Sequence, residues 1–570
     1  MANQNSRKKK KADYETDSVK LGRLVSRIFF YLIMIVVPCF YDSQAYLNMI
    51  GAKGGCALIC TYIGIVGLVC FYFHGFLAGE YKPDITFKRW NAMDFLVILL
   101  SIGMMFACFT SANVSECLSG EKGFYNGALK LGLLALLYFF ISRHVKAVKQ
   151  IWNVVFIVVD VATFWLFLNF CSIDVFGLHA MILEEQFYAF SSCLGNVDSI
   201  SAYYSIISTI IFVFFINEED EKRKLPMFIH MCFAALGVLT VHSDGIMIGM
   251  FFFSILFVFY ALSNQYRLTR TFLILAVVGV EMTIIQLMHV VLPEKIYYTD
   301  ELTNQLMGKW VGIPVMLVFG LLYFFANKSY KANKAWAPKL LNVLAYIYAI
   351  ITTVGFTGVC AYIWKTLEPG FGTGRGGIWL GAWEFFKSFS LKEKIFGVGP
   401  HMLRDRMTDY CAAAGADGSL AYATCHNGIL EVLTTLGIFG LTCTVILWIV
   451  MVALYLKNYK KWEVEPIAYV IAAFAYLGQS FVGNPYSMTV PMFIVVIMLY
   501  RDRLFEMRVE ELKALEAGDE AGLTKTESKD SNKAKESKND SKSKSDKNSN
   551  AKSAESKSAK NSNSKPSKKQ

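Results

Sequence analysis

Arg375 stands among glycines (Gly372, Gly374, Gly376, Gly377), where the backbone can come close to a ligand. A guanidinium placed there can hold a phosphate or carboxylate through two parallel hydrogen bonds. The same residue also suits a plain loop arginine resting on lipid headgroups or on an acid such as Glu368. Later in the same stretch, His426-Asn427 directly precedes an apolar run. An imidazole there can take a proton from a sugar hydroxyl or pair with a pyrophosphate, and the backbone donors of a helix N-terminus favour an anion. The plainer alternative is a helix cap supplied by Asn427, with His426 merely at the interface. Asp405, Asp409 and Asp417 are too widely spaced for a linear metal motif, and no Cys-x-x-Cys or Cys/His metal-ligand spacing occurs, so no metal or other cofactor is expected.

These residues lie in the stretch 365–427, the longest break between apolar runs. It is too long for a plain connector. Its aromatic residues (Trp379, Trp383, Phe385, Phe386, Phe389, Phe396) argue against disorder. The 570-residue chain is 55% hydrophobic with a mean hydropathy of +0.40, and its charges sit at the ends and between apolar runs of bilayer-spanning length. The expected fold is therefore all-α and polytopic, with about 14 transmembrane helices: 24–41, 56–78, 92–111, 127–142, 151–171, 199–216, 226–242, 245–262, 272–292, 311–326, 340–364, 428–456, 467–482 and 486–500.

The net charge of +11 comes from two tails, +5 over residues 1–27 and +6 over 518–570, which excludes a nucleic-acid-binding face and suits anionic membrane lipids. With the N-terminus inside, the short inner loops hold 18 Lys/Arg and the short outer loops 4. This bias predicts two cytoplasmic termini and an extracytoplasmic 365–427 loop between the eleventh and twelfth spans. The domain reading is a basic cytoplasmic tail (1–23), a membrane domain (24–500) and a cytoplasmic tail (501–570), disordered from about 518. A short amphipathic surface helix is expected from Phe505 to Glu516. Cys411 and Cys425 share the outer loop, where a disulfide can form.

Arg375-x-x-x-Trp379, then Phe396-Gly397-Val398-Gly399-Pro400, then His426-Asn427 before a span containing Leu436-Gly437-Ile438-Phe439-Gly440 resembles the signature block of the bacterial O-antigen ligase and polymerase family. Fainter echoes are Leu194-Gly195-Asn196 with Asp198, Leu239-Thr240 with Ser243, and the Gly120–Gly127 segment. The resemblance implies a metal-independent glycan transferase of the bacterial cytoplasmic membrane, acting in cell-surface polysaccharide biosynthesis. Its donor would be a glycan on undecaprenyl pyrophosphate, and its acceptor a lipid, a protein or another glycan. Other polysaccharide-export proteins are implied partners. Carried over, Arg375 neutralises the pyrophosphate and His426 acts on the acceptor hydroxyl or holds the phosphate, with Asn427 and Trp379 lining the substrate site. Members of the family place a second arginine in an earlier outer loop. Here 172–198 contains no Lys or Arg, which leaves Lys122, Arg404 or Arg406 as substitutes.

The rival class is a transporter or flippase of lipid-linked glycans, using Asp160 and Glu281 near the middle of their spans. Against it, the two halves of the chain show no related, interrupted helices.

Overall fold

The computed structural model describes residues 16–80, 90–121, 124–296, 302–334, 336–372, 374–414 and 422–511. Each of the fourteen predicted segments is helical over most of its length, and the described chain is an almost entirely helical polytopic membrane protein. Among the described residues nine helices are long and apolar enough to cross a membrane. In chain order the first unit, residues 1–506, comprises α1 (Asp17–Cys39), α2 (Ala45–Ala78), α3 (Ala92–Phe109), α4 (Val114–Ser119), α5 (Ala128–His144), α6 (Lys149–Phe170), α7 (Val197–Ile216), α8 (Glu221–Thr240) and α9 (Gly245–Ala261). It continues with α10 (Gln265–Val291), α11 (Leu302–Met307), α12 (Gly312–Lys331), α13 (Pro338–Lys365), α14 (Arg375–Ser388), α15 (Leu391–Phe396), α16 (Leu403–Ala414), α17 (Gly428–Asn458), α18 (Val464–Ser480) and a last helix, α19 (489–506). Of the second unit, 507–570, the described residues 507–511 are helical.

Helix α7 is the axis of the molecule. It is buried from Ser199 to Ile216, wrapped by α8, α9, α10 and α18. Two of its hydroxyls are satisfied along the helix itself, Ser205 on the Ser201 carbonyl and Thr209 on the Ser205 carbonyl, both at 2.8 Å. Small partners let the neighbours close in. A Cβ on Gly249 of α9 would lie 2.3 Å from Ser205 Oγ, and one on Gly237 of α8 would lie 2.2 Å from the Tyr204 ring.

The 365–427 stretch is not a loop in the ordinary sense. Its described residues fold into α14, α15 and α16, whose apolar side chains, with those of the adjoining turns (Trp379, Ala382, Phe385, Phe386, Phe389, Met402, Leu403, Met407), form one core with the ends of α3, α5 and α17. The glycines of the signature block explain how this cap is docked. Helix α17 breaks at Gly437 (φ 68°, ψ −169°), which frees the carbonyls of Thr434 and Thr435. Those carbonyls accept from the N–H groups of Val398 and Gly399, both at 3.0 Å, and a Cβ on Gly397 would lie 2.2 Å from the Thr435 carbonyl. The two sequence motifs are thus the two sides of one backbone joint.

Some expectations need correction. Cys411 and Cys425 are both free thiols. Helix α2 begins earlier than the hydropathy suggests, because Lys53 is buried inside it, donating to the carbonyls of Pro38 (2.5 Å), Cys193 (2.7 Å) and Phe40 (3.1 Å). Phe505 does not open a separate surface helix: it lies within α19, its ring 5.6 Å from the guanidinium carbon of Arg501 and 5.8 Å from that of Arg143. The reason is a buried ion cluster at the far end of α3 from the cap, where Asp94 binds Arg501 (2.7 Å), Arg143 (3.3 Å) and the Tyr138 hydroxyl (3.1 Å). The expected disordered region from about 518 lies outside the described residues.

Candidate active site

The N-termini of α7, α9, α14 and α17 converge beneath the cap. Each is held by local chemistry. Asn196 caps α7, its side chain accepting from the N–H of Asp198 at 3.0 Å. A two-residue β-pair, Phe190–Ser191 with Gly195–Asn196, leads the chain into that cap. Asn427 caps α17, accepting from Ile429 and Leu430 at 3.0 Å and donating to the Phe481 carbonyl at 3.0 Å. The plainer reading of Asn427 as a helix cap therefore describes what its side chain does. Gly374 starts α14 in the left-handed region (φ 91°) without a side-chain cap.

Arg375, first residue of α14, pairs with Asp198 of α7 at 3.2 Å, and each side chain keeps about a fifth of its surface exposed (23% and 19%). Asp198 also accepts from the hydroxyls of Ser243 at 2.6 Å and Tyr486 at 3.4 Å. Its backbone carbonyl accepts from the Gln479 amide at 3.3 Å. From Tyr486 the network runs through Asn484 (3.4 Å) to Nε2 of His426 (3.4 Å), with the Thr424 hydroxyl on the other end of the Asn484 amide at 2.5 Å. Trp379 donates its indole N–H to the His426 carbonyl at 3.3 Å. His426 itself is in the left-handed region (φ 46°), an unusual conformation for a bulky side chain. Its Nδ1 is buried and has no hydrogen-bond partner among the described residues. Burial holds the imidazole below its usual pKa, the Arg375 charge lowers it further, and Asp198 partly opposes both.

Arg375, Trp379, His426 and Asn427 thus come together. The other candidates do not join them. Arg404 pairs with Glu121 (2.5 Å) and Arg406 with Glu393 (2.7 Å). Lys122 lies outside the described residues. Asp198 and Ser243, only echoes in the sequence, hold the arginine directly. Asn484, Tyr486 and Gln479 gave no sequence signal beyond the polar interruption Asn484-Pro485-Tyr486 between two apolar runs. His242 is neutral and structural: burial pushes its pKa down to about 4, its Nδ1 meets the Asn304 amide at 3.0 Å, and its ring stacks on Phe170.

An apolar cavity of about 510 Å³ opens beside this cluster. One end is formed by Gly428, Ser480, Asn484 and Pro485, and its walls run along α3, α5, α17, α18 and α19 to Leu447 and Trp448. Asn484, which touches His426, lines its polar end. The chain matches no known protein-family profile and no curated protein.

Elsewhere in the bundle, Asp160 of α6 meets Nδ1 of His230 of α8 at 2.7 Å. One carboxylate oxygen of Glu281 on α10 is buried with no hydrogen-bond partner among the described residues.

Proposed function

We propose that the protein is a membrane glycosyltransferase of the O-antigen ligase or polymerase type. It moves a glycan from undecaprenyl pyrophosphate to a lipid, protein or glycan acceptor on the outer face of the bacterial cytoplasmic membrane. In this reading the chain spans the membrane fourteen times with both termini inside, and the cap covers the site on the outer side. The observation that carries the proposal is a cationic, imidazole-bearing cluster at the polar end of an apolar cavity. That combination suits a donor with a charged pyrophosphate head and a polyprenyl tail.

The chemistry follows from the positions. Pyrophosphate is a good leaving group, so the site has to stabilise its growing charge and activate the nucleophile. Arg375 and the four convergent helix N-termini supply positive potential where that charge develops. Asp198 keeps the guanidinium oriented. The Asn484 amide nitrogen faces Nε2, and an amide N–H donates, so Nε2 is the unprotonated ring nitrogen of His426 and the base. The acceptor hydroxyl takes the place of that amide contact and gives its proton to Nε2 as its oxygen bonds to the anomeric carbon, and the bond from that carbon to the phosphate oxygen breaks, releasing polyprenyl pyrophosphate.

The transporter reading rests on Asp160 and Glu281. Asp160 is already engaged by His230, a contact that ties α6 to α8. The test of function is the carrier-linked product that accumulates in cells lacking the protein. Single repeat units on the carrier identify a polymerase, and long carrier-bound chains identify a ligase. An unchanged pool of carrier-linked glycan overturns the proposal.

A further inference from the structure

Lysines buried in this bundle are satisfied where their role is structural. Lys53 has three carbonyl oxygens around its ammonium group. Lys130, in the first turn of α5, is equally buried at 1% exposure, yet its Nζ has no hydrogen-bond partner among the described residues. The charged form of an amine buried without a partner is strongly unfavourable, so a lysine at this position calls for an anion to pair with. Two polar atoms nearby in the fold are unpartnered in the same way, the side-chain oxygen of Asn126, four residues before Lys130, and Nδ1 of His401, whose ring centroid lies 5.8 Å from that of Phe124. Asn126 and His401 are themselves more than nine-tenths buried, and His401 sits in the left-handed region (φ 59°). Helix α5 begins at Gly127 with no side-chain cap on its first-turn N–H groups.

We infer that Lys130, His401, Asn126 and the N-terminus of α5 form a second anion site, which takes a phosphate-class group. Lys130 and the helix N-terminus supply the charge, His401 donates from Nδ1, and the Asn126 oxygen accepts from a phosphate or sugar hydroxyl beside it. The Lys130 charge reaches His401, since it adds to burial in pushing the imidazole down to about 4. The position is telling. The Asn126 amide donates to the Pro485 carbonyl at 2.7 Å, and the adjacent Asn484 touches His426. Pro485 and Leu131, the residue after Lys130, both line the apolar cavity. The 484–487 segment therefore links the two clusters, touching His426 through Asn484 and the 124–126 stretch through Pro485 and Ser487. Resting on the transferase reading for the donor's identity, this site is the second cation for the pyrophosphate, in place of Arg404 and Arg406, which pair with Glu121 and Glu393 outside the cluster.

The test is binding of inorganic pyrophosphate to the full-length protein in detergent, by calorimetry and by thermal shift. The wild type is expected to bind, and Lys130→Met to bind about tenfold more weakly or worse, the loss typical of one charge-assisted contact. Without ligand, Lys130→Met is expected to melt at a higher temperature than the wild type, because an unpaired buried charge has gone. His401→Gln, a second and milder variant, is expected to weaken binding on its own. Wild-type affinity in both variants overturns the site, as does a lowered melting temperature in Lys130→Met, which would reveal a structural partner. Farnesyl pyrophosphate, used as a second probe, identifies the source. Tighter binding than pyrophosphate marks a lipid-borne head in the cavity, and equal binding marks a free anion. Lys130-dependent binding without transfer by the wild type upholds the site and removes the transferase reading. Transfer with Lys130-independent binding removes the site alone.

Discussion

Gly437→Ala is expected to undock the cap from the membrane helices. The residue occupies φ 68° and ψ −169°, a region essentially reserved for glycine, where another residue costs about 1–3 kcal/mol. The added Cβ would lie 2.3 Å from the Ile395 carbonyl oxygen and 2.6 Å from the Gly397 nitrogen, so the 395–399 segment must move. Moving it breaks the bonds from Val398 to Thr434 and from Gly399 to Thr435, each 3.0 Å long and each worth about 1 kcal/mol net. The sum is about 3–5 kcal/mol, which at about 1.4 kcal/mol per decade raises the open population of the cap by roughly two to four orders of magnitude. Hydrogen exchange read by mass spectrometry on the full-length protein in detergent measures this directly. Amides of Val398 and Gly399 are expected to exchange faster in the variant, while those of α7 keep their protection. Unchanged exchange at 398 and 399 in a folded variant would refute the idea that the two glycine motifs form one joint.

Other substitutions test the site and the topology. Burial and the Arg375 charge lower the His426 pKa, so the acid limb of kcat/KM should fall below the ordinary imidazole value of 6.5. Asp198→Asn removes the one neighbouring charge that raises that pKa, so the limb should move further down, as a pH–rate profile of its residual activity will show. Arg375→Lys should recover part of what Arg375→Ala loses, because the charge returns but the planar fork does not; initial rates at saturating donor decide it. Ser388, exposed at the end of α14, reports orientation. As Ser388→Cys, in a background without accessible cysteines, it should react with a membrane-impermeant thiol reagent in intact cells, and labelling only by a permeant reagent would reverse the topology. Asp160→Asn and Glu281→Gln should leave transfer by purified protein within about twofold of wild type, since the proposed chemistry does not use their protons.

The helical class and the position of every predicted apolar segment were legible because hydropathy is a local property. The weak pair 226–242 and 245–262 was separable because the basic loops beyond it demand a tight hairpin, and the chain turns there between Thr240 and Gly245. Arg375, His426 and Asn427 were legible from residue type beside glycines or at a helix start, and Trp379 only from its spacing to Arg375 in the resemblance. What held them was not. Asp198 and Ser243 come from two distant hairpins, and only their packing on α7 and α9 brings them to Arg375. Tyr486 and Asn484 look like an ordinary polar break between the last two apolar runs. Lys53 read as a loop residue because a buried lysine on three carbonyls leaves no mark in a hydropathy trace. Lys130 was passed over for the same reason, a single charge within an apolar run. The cap's secondary structure was obscured by its short helices and many glycines, although its aromatic content did announce a core.

The central claim is that Arg375 and His426 form one transfer site, and glycan transfer by purified protein in detergent tests it most directly. With a polyprenyl-pyrophosphate glycan as donor and no gradient present, Arg375→Ala should lose on the order of 2–4 kcal/mol of transition-state stabilisation, a fall of about 30- to 1,000-fold. His426→Ala should lower the rate by about 100-fold or more if the imidazole is the base, and His426→Arg should then fail to restore it. Full transfer by both Arg375→Ala and His426→Ala would contradict the account.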